Sequence, residues 1–316
     1  MSKSLSTTGP RAVTVPVSTR QLIADSKAPN THRAYAIQLR AVDAFADGRP
    51  LTDALVADFI RARFNAGVSP ATLRLGVAAI GFRYKLQGKP SPVGPFAKEV
   101  LAGAVRRGAV EGRGRGQAQG IDFGKADAMA AVAANGGKRM GGLRDSALLL
   151  CASDALLRAS EVAALQVGDV ETGDGKGKGA VVHVRKSKTD QVGDGAALYL
   201  RPRTAMAVKR WVEKAGIDSG PLFRPVHTRG SLQPGALSPR AVSRIIKRCA
   251  AAAGVGDGKP VSGHSLRVGA AGDLALRGCS LPALCEAGRW KTPAQAAHYA
   301  RQGLAQQSAV ARLRPQ

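Results

Sequence analysis

Residues 264–301 read HSLRVGAAGDLALRGCSLPALCEAGRWKTPAQAAHYAR and bring four chemically versatile side chains into one mostly apolar stretch. His264 and Arg267 are spaced so that they share one face of a helix. Trp290 and Tyr299 follow, and the proline-containing turn between them allows the chain to come back toward the first pair. Taken singly, each residue is explained equally well as a cap, a surface charge or a core aromatic.

Two motifs upstream of this stretch carry related chemistry. In LLRASE, residues 156–161, Arg158 follows an apolar run and Glu161 lies three positions later. A guanidinium steadied by a carboxylate can present a fixed pair of donors to a phosphate, although such a pair is usually a solvated surface bridge. The second motif, KSKT at 186–189, lies in GAVVHVRKSKTDQVGDGAALYL, whose β-branched alternation predicts a small hairpin or a three-stranded sheet.

The charge of the chain favours a polyanionic partner. Lys and Arg number 47 against 22 Asp and Glu, for a net charge of +25, and nucleic acid is the usual partner of so basic a protein. A basic surface kept for solubility or assembly is the alternative. The chain has no apolar run long enough to span a membrane and no secretory signal at its start, so we expect a cytoplasmic, nucleoid-associated protein without a membrane partner.

The four cysteines do not indicate a metal site. Cys151, Cys249, Cys279 and Cys285 form no CxxC pair and have no histidine at metal-ligand spacing. They are expected to behave as small hydrophobic residues in a reducing compartment.

The pattern along the chain predicts two mainly helical domains. Residues 1–18 are expected to be a mobile basic tail, and residues 19–108 a small all-helical domain whose helices open on Thr or Ser caps. The Gly-rich stretch 109–120 is predicted to be a linker. Residues 121–316 are predicted to be mostly helical with a small antiparallel β-sheet.

The ordered set of LLRASE, KSKT in a hairpin, HSLRVGAA, and GRW with a tyrosine nine residues after the tryptophan resembles the tyrosine recombinases, the phage integrase family, and within it the Cre-like members. The resemblance covers nearly the whole chain. It implies a helical core-binding domain, a linker and a catalytic domain with the tyrosine recombinase fold.

The resemblance implies a role for each matching residue. Tyr299 matches the nucleophile that forms a 3′-phosphotyrosyl bond. Arg158 and Arg267 match the arginines that hold the non-bridging phosphate oxygens, and His264 matches the histidine that assists proton transfer. The remaining matches are Lys188 as the general acid on the leaving 5′-oxygen, with Lys186 an open alternative, Trp290 as an indole N–H donor, and Glu161 as the carboxylate that supports the site.

Three positions depart from the family pattern or have no role in it. Val268 stands where most members have histidine, and Leu156 stands where many have glycine. Both changes remain compatible with the Cre-like branch. His298, beside the tyrosine, matches no family role and is expected to lie on the surface or pack against a helix.

DNA contacts are predicted on two groups of basic residues. In SPRAVSRIIKRCAAAAG, Ser238 is the expected N-cap and Pro239 the first helical residue. By resemblance this helix enters the major groove and Arg240 reads a guanine edge. The other predicted contacts are Arg244, Lys247 and Arg248 on the same helix, and Arg33, Arg40, Arg74, Arg83 and Lys85 in the first domain.

The implied activity is site-specific DNA strand exchange on double-stranded DNA without a cofactor, a metal ion or ATP. A final helix carrying Leu304, Val310 and Leu313 is expected to support a homo-oligomer, a tetramer on two recombination sites. The need for an accessory DNA-bending or directionality protein is left open. Competing hypotheses are a type IB topoisomerase, a silent DNA-binding relative, and a basic ribosome- or chromatin-associated protein.

Overall fold

The computed structural model describes residues 17–114, 116–135, 140–173, 177–185, 195–256, 260–306, 308 and 310. The chain divides into two compact units with the boundary after Gly116. No helix within these described ranges is long and apolar enough to cross a membrane. Each unit is considered by itself.

The described part of the first unit is helical: α1 (Val17–Asp25), α2 (Pro29–Ala46), α3 (Asp53–Asn65), α4 (Pro70–Leu86) and α5 (Pro95–Val110). The predicted caps are confirmed, because Thr52 Oγ1 accepts from the Leu55 N–H at 3.2 Å and Ser69 Oγ accepts from the Thr72 N–H at 3.4 Å. Apolar faces of α2 to α5 meet in one core around Ile60, which is fully buried.

Helices of the second unit surround a larger core. They are α6 (Phe123–Asn135), α7 (Met140–Asp154), α8 (Ala159–Ala164), α9 (Pro202–Ala215), α10 (Pro239–Ala252), α11 (Ser265–Leu276), α12 (Leu281–Gly288) and α13 (Pro293–Gln306). The middle of this core is α7, in which the ten residues 144–153 are all buried. A helix buried on every side holds its C-terminal end rigidly, and the turn that follows it carries Arg158.

The predicted small sheet is present. Strands β1 (Val170–Thr172), β2 (Ala180–Val184) and β3 (Ala196–Leu200) pair antiparallel in that order. Alternate residues of β2, at positions 180, 182 and 184, are buried, as expected for a strand with one face on a core. The turn between β2 and β3, which carries the KSKT motif, lies outside the described residues.

Close packing of two backbone segments requires glycine at position 269 of α11. A Cβ on this residue would lie 2.0 Å from the main chain of Ile121, so the two backbones touch. The Ile121 N–H also donates to the Ser265 carbonyl at 2.9 Å. The glycine of HSLRVGAA therefore lets the start of the second unit cross directly over the helix that carries Arg267.

The element ends differ slightly from the sequence predictions. Helix α1 begins at Val17, inside the predicted tail, and α5 continues to Val110, inside the predicted linker. The predicted final helix with Leu304 is α13, which also contains Tyr299. Leu313, predicted on the same helix, lies outside the described residues. Pro293 at the start of α13 provides a ready-made first turn, which places the helix start before the tyrosine.

Candidate active site

Arg158 stands at the turn between α7 and α8, where it is the N-cap residue of α8. Its Nη1 donates to Glu161 Oε1 at 2.6 Å, and its main-chain N–H donates to Glu161 Oε2 at 2.9 Å. The Glu161 side chain is only 2% exposed. The pair predicted from LLRASE is therefore a buried, doubly bonded contact and not a surface bridge.

Leu156, two residues before Arg158, has a left-handed backbone with φ of 47°. Glycine adopts this conformation freely, whereas a residue with a Cβ is strained. The main-chain carbonyl of Leu156 accepts hydrogen bonds from Arg267 Nη1 at 2.5 Å and from Arg289 Nη2 at 3.3 Å. Leu156, which stands where many family members have glycine, therefore has the left-handed backbone conformation that glycine adopts freely.

The next site residues come from the start of α11. His264 is the N-cap residue of this helix and Arg267 lies in its first turn. Arg267 is 1% exposed, and its second terminal nitrogen donates to the Gly288 carbonyl. These main-chain contacts fix the guanidinium between the α7–α8 turn and the end of α12.

Trp290 and Tyr299 close the site from the other side. The Arg267 guanidinium lies 4.5 Å from the Trp290 ring centroid and 5.8 Å from that of Tyr299, within the range of cation–π attraction. The two aromatic rings are 5.1 Å apart at 30°. A Cβ on Gly288 would lie 1.9 Å from the Trp290 ring, so the glycine of GRW is required by the tryptophan that follows it.

Arg267 is short of counter-charge. Burial, together with the positive charges of Arg158 and Arg289, lowers the pKa of Arg267 to about 9. Its buried Nε has no hydrogen-bond partner among the described residues. A buried donor left unpaired costs about 1–3 kcal/mol, so an anion reaching this guanidinium would be bound strongly.

The two other titratable groups are held in definite protonation states. Burial, then the charges of Arg267 and Arg158, lower the pKa of His264, so its imidazole is neutral at pH 7. Burial acts to raise the pKa of Glu161, but Arg289 and Arg158 outweigh it and the net shift is downward. The site at neutral pH therefore combines a neutral histidine, a carboxylate and a surplus of arginines.

Sequence reasoning missed Arg289 and Gln117. Arg289 is the left-handed C-cap residue of α12, and its Nη2 lies 2.7 Å from Glu161 Oε2. Gln117 Nε2 donates to the Tyr299 carbonyl at 3.2 Å. No local pattern indicated either residue, because an arginine beside a tryptophan and a glutamine in a Gly-rich stretch are ordinary surface residues until the chain folds.

Six of the seven predicted catalytic residues lie together, namely Arg158, Glu161, His264, Arg267, Trp290 and Tyr299. The seventh, Lys188, and its alternative Lys186 lie outside the described residues. His298 is exposed, as predicted, with its ring edge-on to Tyr299 at 5.9 Å. Within the described ranges, no group of three or more His, Cys, Asp or Glu side chains could hold a metal ion.

The predicted DNA contacts occupy exposed positions with one exception. On α10, Ser238 Oγ caps the helix by accepting from the Ala241 N–H at 3.1 Å, as predicted. The predicted contacts that are exposed are Arg240, Arg244, Lys247 and Arg248 on α10, and Arg33, Arg40, Arg74 and Lys85 in the first unit. Arg83 is half-buried and ion-paired with Asp43 at 2.5 Å, and Arg248 is paired with Asp145.

The model of the phage integrase family matches residues 124–304 of this chain. The recombinase Cre of Escherichia phage P1 is 28% identical over 271 residues, which cover 82% of this chain and 78% of that protein. An integrase/recombinase XerD homologue of Selenomonas ruminantium is 31% identical over 172 residues, 52% of this chain and 49% of that protein. That alignment spans about half of each chain.

Solved structures of the same fold were found in complexes with DNA. The XerH site-specific recombinase bound to a palindromic difH substrate has a TM-score of 0.63 at 15% identity, covering 88% of this chain and 78% of that one. The Tn1549 transposon integrase bound to transposon right-end DNA has a TM-score of 0.63 at 12% identity, covering 91% and 98%. These similarities establish the fold.

The site and the family match together define the class of this protein. The chain belongs to the phage integrase family, and it is a tyrosine-type site-specific recombinase.

Proposed function

We propose that Tyr299 is the nucleophile of this recombinase and that Arg158, Arg267 and His264 act with it on one phosphodiester of double-stranded DNA. The observation that carries this assignment is the fixed stack of Tyr299, Trp290 and the Arg267 guanidinium beside the Arg158–Glu161 pair. A phenol next to under-neutralised arginines is where a phosphate anion and its attacker would meet.

The arginines act on the charge that develops during the reaction. When the Tyr299 oxygen attacks phosphorus, the non-bridging oxygens gain negative charge in the pentavalent state. The Arg267 guanidinium is already held by main-chain carbonyls and that of Arg158 by Glu161. Neither needs to reorganise, so both stabilise that state more than the starting phosphodiester. Trp290 holds the Arg267 plane and closes the site against water.

Each proton in the first step has a destination. The bond from phosphorus to the 5′-oxygen breaks as the bond to Tyr299 forms, and the phenol proton passes to a base. His264 suits that task because its lowered pKa leaves it neutral and able to accept. Lys188 is assigned to protonate the leaving 5′-oxygen, with Lys186 as the alternative.

The second step reverses the first with a different strand. A 5′-hydroxyl attacks the phosphotyrosine, releases Tyr299 and restores a phosphodiester. One phosphate ester replaces another at each step, so the proposed reaction needs neither ATP nor a metal ion. We expect cleavage to survive in EDTA; loss in chelator that added metal restores would contradict this mechanism.

DNA is proposed to be held by both units. Residues 19–108 are assigned as the core-binding domain, residues 109–120 as the linker, and residues 121–316 as the catalytic domain. Arg240, Arg244 and Lys247 form an exposed face of α10 that is suited to a major groove. Strand exchange requires two sites, so the active assembly is proposed to be a tetramer. A lambda integrase of the same fold forms a dimer on a COC' core site, which supports oligomer formation on DNA.

The decisive experiment is denaturing capture of covalent protein–DNA adducts from cells that express the wild type or Tyr299→Phe, followed by sequencing of the trapped ends. Adducts at one discrete site that disappear with Tyr299→Phe are the expected result. Scattered adducts that depend on Tyr299 would indicate topoisomerase-like activity. Absence of adducts in the wild type would overturn the nucleophile assignment.

A further inference from the structure

Arg289 is a buried charged residue to which the catalytic mechanism above gives no task. Its side chain is 10% exposed and its guanidinium reaches three different acceptors. Nη1 donates to the Ala155 carbonyl at 3.1 Å, and Nη2 donates to the Leu156 carbonyl at 3.3 Å and to Glu161 Oε2 at 2.7 Å. All three acceptors belong to the α7–α8 segment that carries Arg158.

Arg289 itself belongs to a different part of the site. It is the residue between Gly288, whose carbonyl holds Arg267, and Trp290, whose ring stacks on Arg267 and Tyr299. Its side chain is therefore a direct tie between the segment that presents the aromatic residues and the turn that presents Arg158. A one-residue tie of this kind fixes the distance between the two halves of the site.

The backbone at Arg289 is strained in the same way as at Leu156. Its φ is 53°, in the left-handed region where a side chain is unfavourable. Glycine would relieve that strain, so the arginine is kept against a conformational cost. Left-handed residues with a Cβ persist where the surrounding contacts hold them, and they cluster at functional sites.

The charges around Glu161 give the tie an electrostatic consequence. Arg158, Arg267 and Arg289 contribute three positive charges against one from Glu161, which leaves two positive charges in surplus. Burial raises the pKa of Glu161, and the charge of Arg289, together with the hydrogen bonds and charge of Arg158, lowers it. Removing Arg289 therefore raises that pKa relative to the wild type, so that Glu161 takes up a proton, and loses its ion pair with Arg158, at a higher pH.

We propose that Arg289 is a positioning residue for DNA cleavage. Its side chain holds the Glu161 carboxylate that orients Arg158, and it ties the Trp290–Tyr299 side of the site to the α7–α8 turn. The role acts through Glu161 and Arg158 and not through contact with the phosphate. This inference rests on the proposed function of Tyr299, Arg158 and Arg267.

The test compares Arg289→Gly with the wild type, since glycine fits the left-handed backbone and removes only the side chain. The substrate is a duplex carrying the site recovered from wild-type adducts, nicked so that cleavage is irreversible. We expect the single-turnover cleavage rate to fall by about 10–100-fold, the range for loss of a supporting shell around a reactive group. DNA affinity is expected to stay within about twofold, because the lost contact serves the transition state.

The pH profile separates positioning from a purely structural role. Both proteins carry His264→Gln in this comparison, because the imidazole gives an acid limb of its own. The cleavage rate of Arg289→Gly should then fall at a higher pH than that of its parent, because Glu161 becomes easier to protonate. In the Glu161→Gln background that shift should vanish, since no titratable group remains there. Arg289→Lys keeps the charge without the bidentate geometry, so its acid limb should stay near the wild-type position while its rate is intermediate.

Asp47→Gly is the matched control for relief of backbone strain, because Asp47 has φ of 49° at the end of α2 in the first unit. It should leave cleavage unchanged.

Wild-type rates and an unshifted acid limb in Arg289→Gly would overturn the role of Arg289 alone. If Arg289→Gly did not fold, the single-turnover cleavage rate of Arg289→Lys would decide, because a lowered rate is expected and a wild-type rate would overturn the role. Absence of a Tyr299 adduct in the wild type would instead overturn the proposed function, and this role with it.

Discussion

The buried arginines of the site and the exposed basic residues of α10 are the same residue types in opposite environments. Arg158, Arg267 and Arg289 are almost fully enclosed and bonded to carbonyls or to Glu161. Arg240 and Arg244 extend into solvent. A buried charge is costly unless every donor has a partner, whereas an exposed charge is screened by water and salt.

The difference teaches that position in the fold, not residue type, separates chemistry from binding. Fixed guanidinium groups can stabilise a transition state because they do not need to reorganise. Mobile exposed groups contribute to affinity and to its salt dependence. Substitutions in the two regions should therefore change different measurements.

The largest effect is expected from Tyr299→Phe, which removes the attacking oxygen and keeps the ring that stacks on Trp290. Cleavage should fall by at least about 10⁴-fold, as for loss of a covalent nucleophile. DNA binding should persist. The measurement is covalent adduct formation on the recovered site, and adducts at the wild-type level would refute the assignment.

Arg267→Lys should lower the cleavage rate by about 10²–10³-fold, the cost of losing one preorganised donor to a developing anion. Lysine keeps the charge but cannot bond the Leu156 and Gly288 carbonyls together while lying flat on Trp290. Single-turnover cleavage and DNA affinity should be measured in parallel. Equal losses of cleavage rate and DNA affinity would show that Arg267 acts in DNA binding. Arg267 would then not differ in function from the exposed arginines of α10.

Glu161→Ala should destabilise the folded protein by about 3–5 kcal/mol, because it leaves the buried guanidinium groups of Arg158 and Arg289 without their carboxylate partner. The matched control is Asp58→Ala, which breaks the exposed Arg61–Asp58 pair at 3.1 Å and should cost about 0–1 kcal/mol. Urea denaturation measures both. Similar losses in the two variants would show that burial does not set the value of these ion pairs.

The lowered pKa of Glu161 adds a pH dependence to this stability. The folded-state pKa lies below the ordinary value of 4.5. The carboxylate therefore contributes fully above pH 4.5, and its contribution disappears as the pH falls through the folded-state pKa. Glu161→Gln should be less sensitive to acid over that interval than the wild type.

The lowered pKa of His264 sets the pH dependence that we expect for cleavage. Its pKa is lowered from 6.5, so the neutral imidazole persists at pH 6.5 and the rate should fall only at a pH below that value. His264→Gln should be slower and should lack this acid limb. A wild-type limb centred above pH 6.5 would mean that the buried arginines do not act on this histidine.

The smallest effect on chemistry is expected on α10. Arg240→Ala should weaken DNA binding about tenfold and should relax the sequence preference at the guanine that Arg240 is proposed to read. The cleavage rate of bound DNA should stay at the wild-type value. A lowered single-turnover rate at saturating protein would show that the exposed face also positions the reacting phosphate.

The sequence predicted most of the site because its motifs contain the residues that do the chemistry. LLRASE, HSLRVGAA and GRW with Tyr299 contain the six residues that the fold brings together. The caps at Thr52, Ser69 and Ser238 were also predictable, because a hydroxyl before an apolar helical run satisfies a free N–H through local geometry alone.

Other features arose only in the tertiary structure. Arg289 and Gln117 gave no local signal, since their partners are main-chain carbonyls and a carboxylate that lie far away in sequence. Leu156 was seen as a departure from glycine, but its strained φ and its shared carbonyl are visible only when Arg267 and Arg289 meet there.

The sequence by itself determined which residues could react, because nucleophile, arginines and histidine are properties of side chains and short spacings. It also determined the basic character of the chain and the order of its helices and strands. Only the tertiary structure decided which charges are buried and which are exposed, because burial depends on contacts between distant segments. Burial lowers the pKa values of Arg267 and His264, while Arg289 and Arg158 lower the pKa of Glu161 against the effect of burial. Contacts between distant segments thus make three ordinary arginines into one charged site.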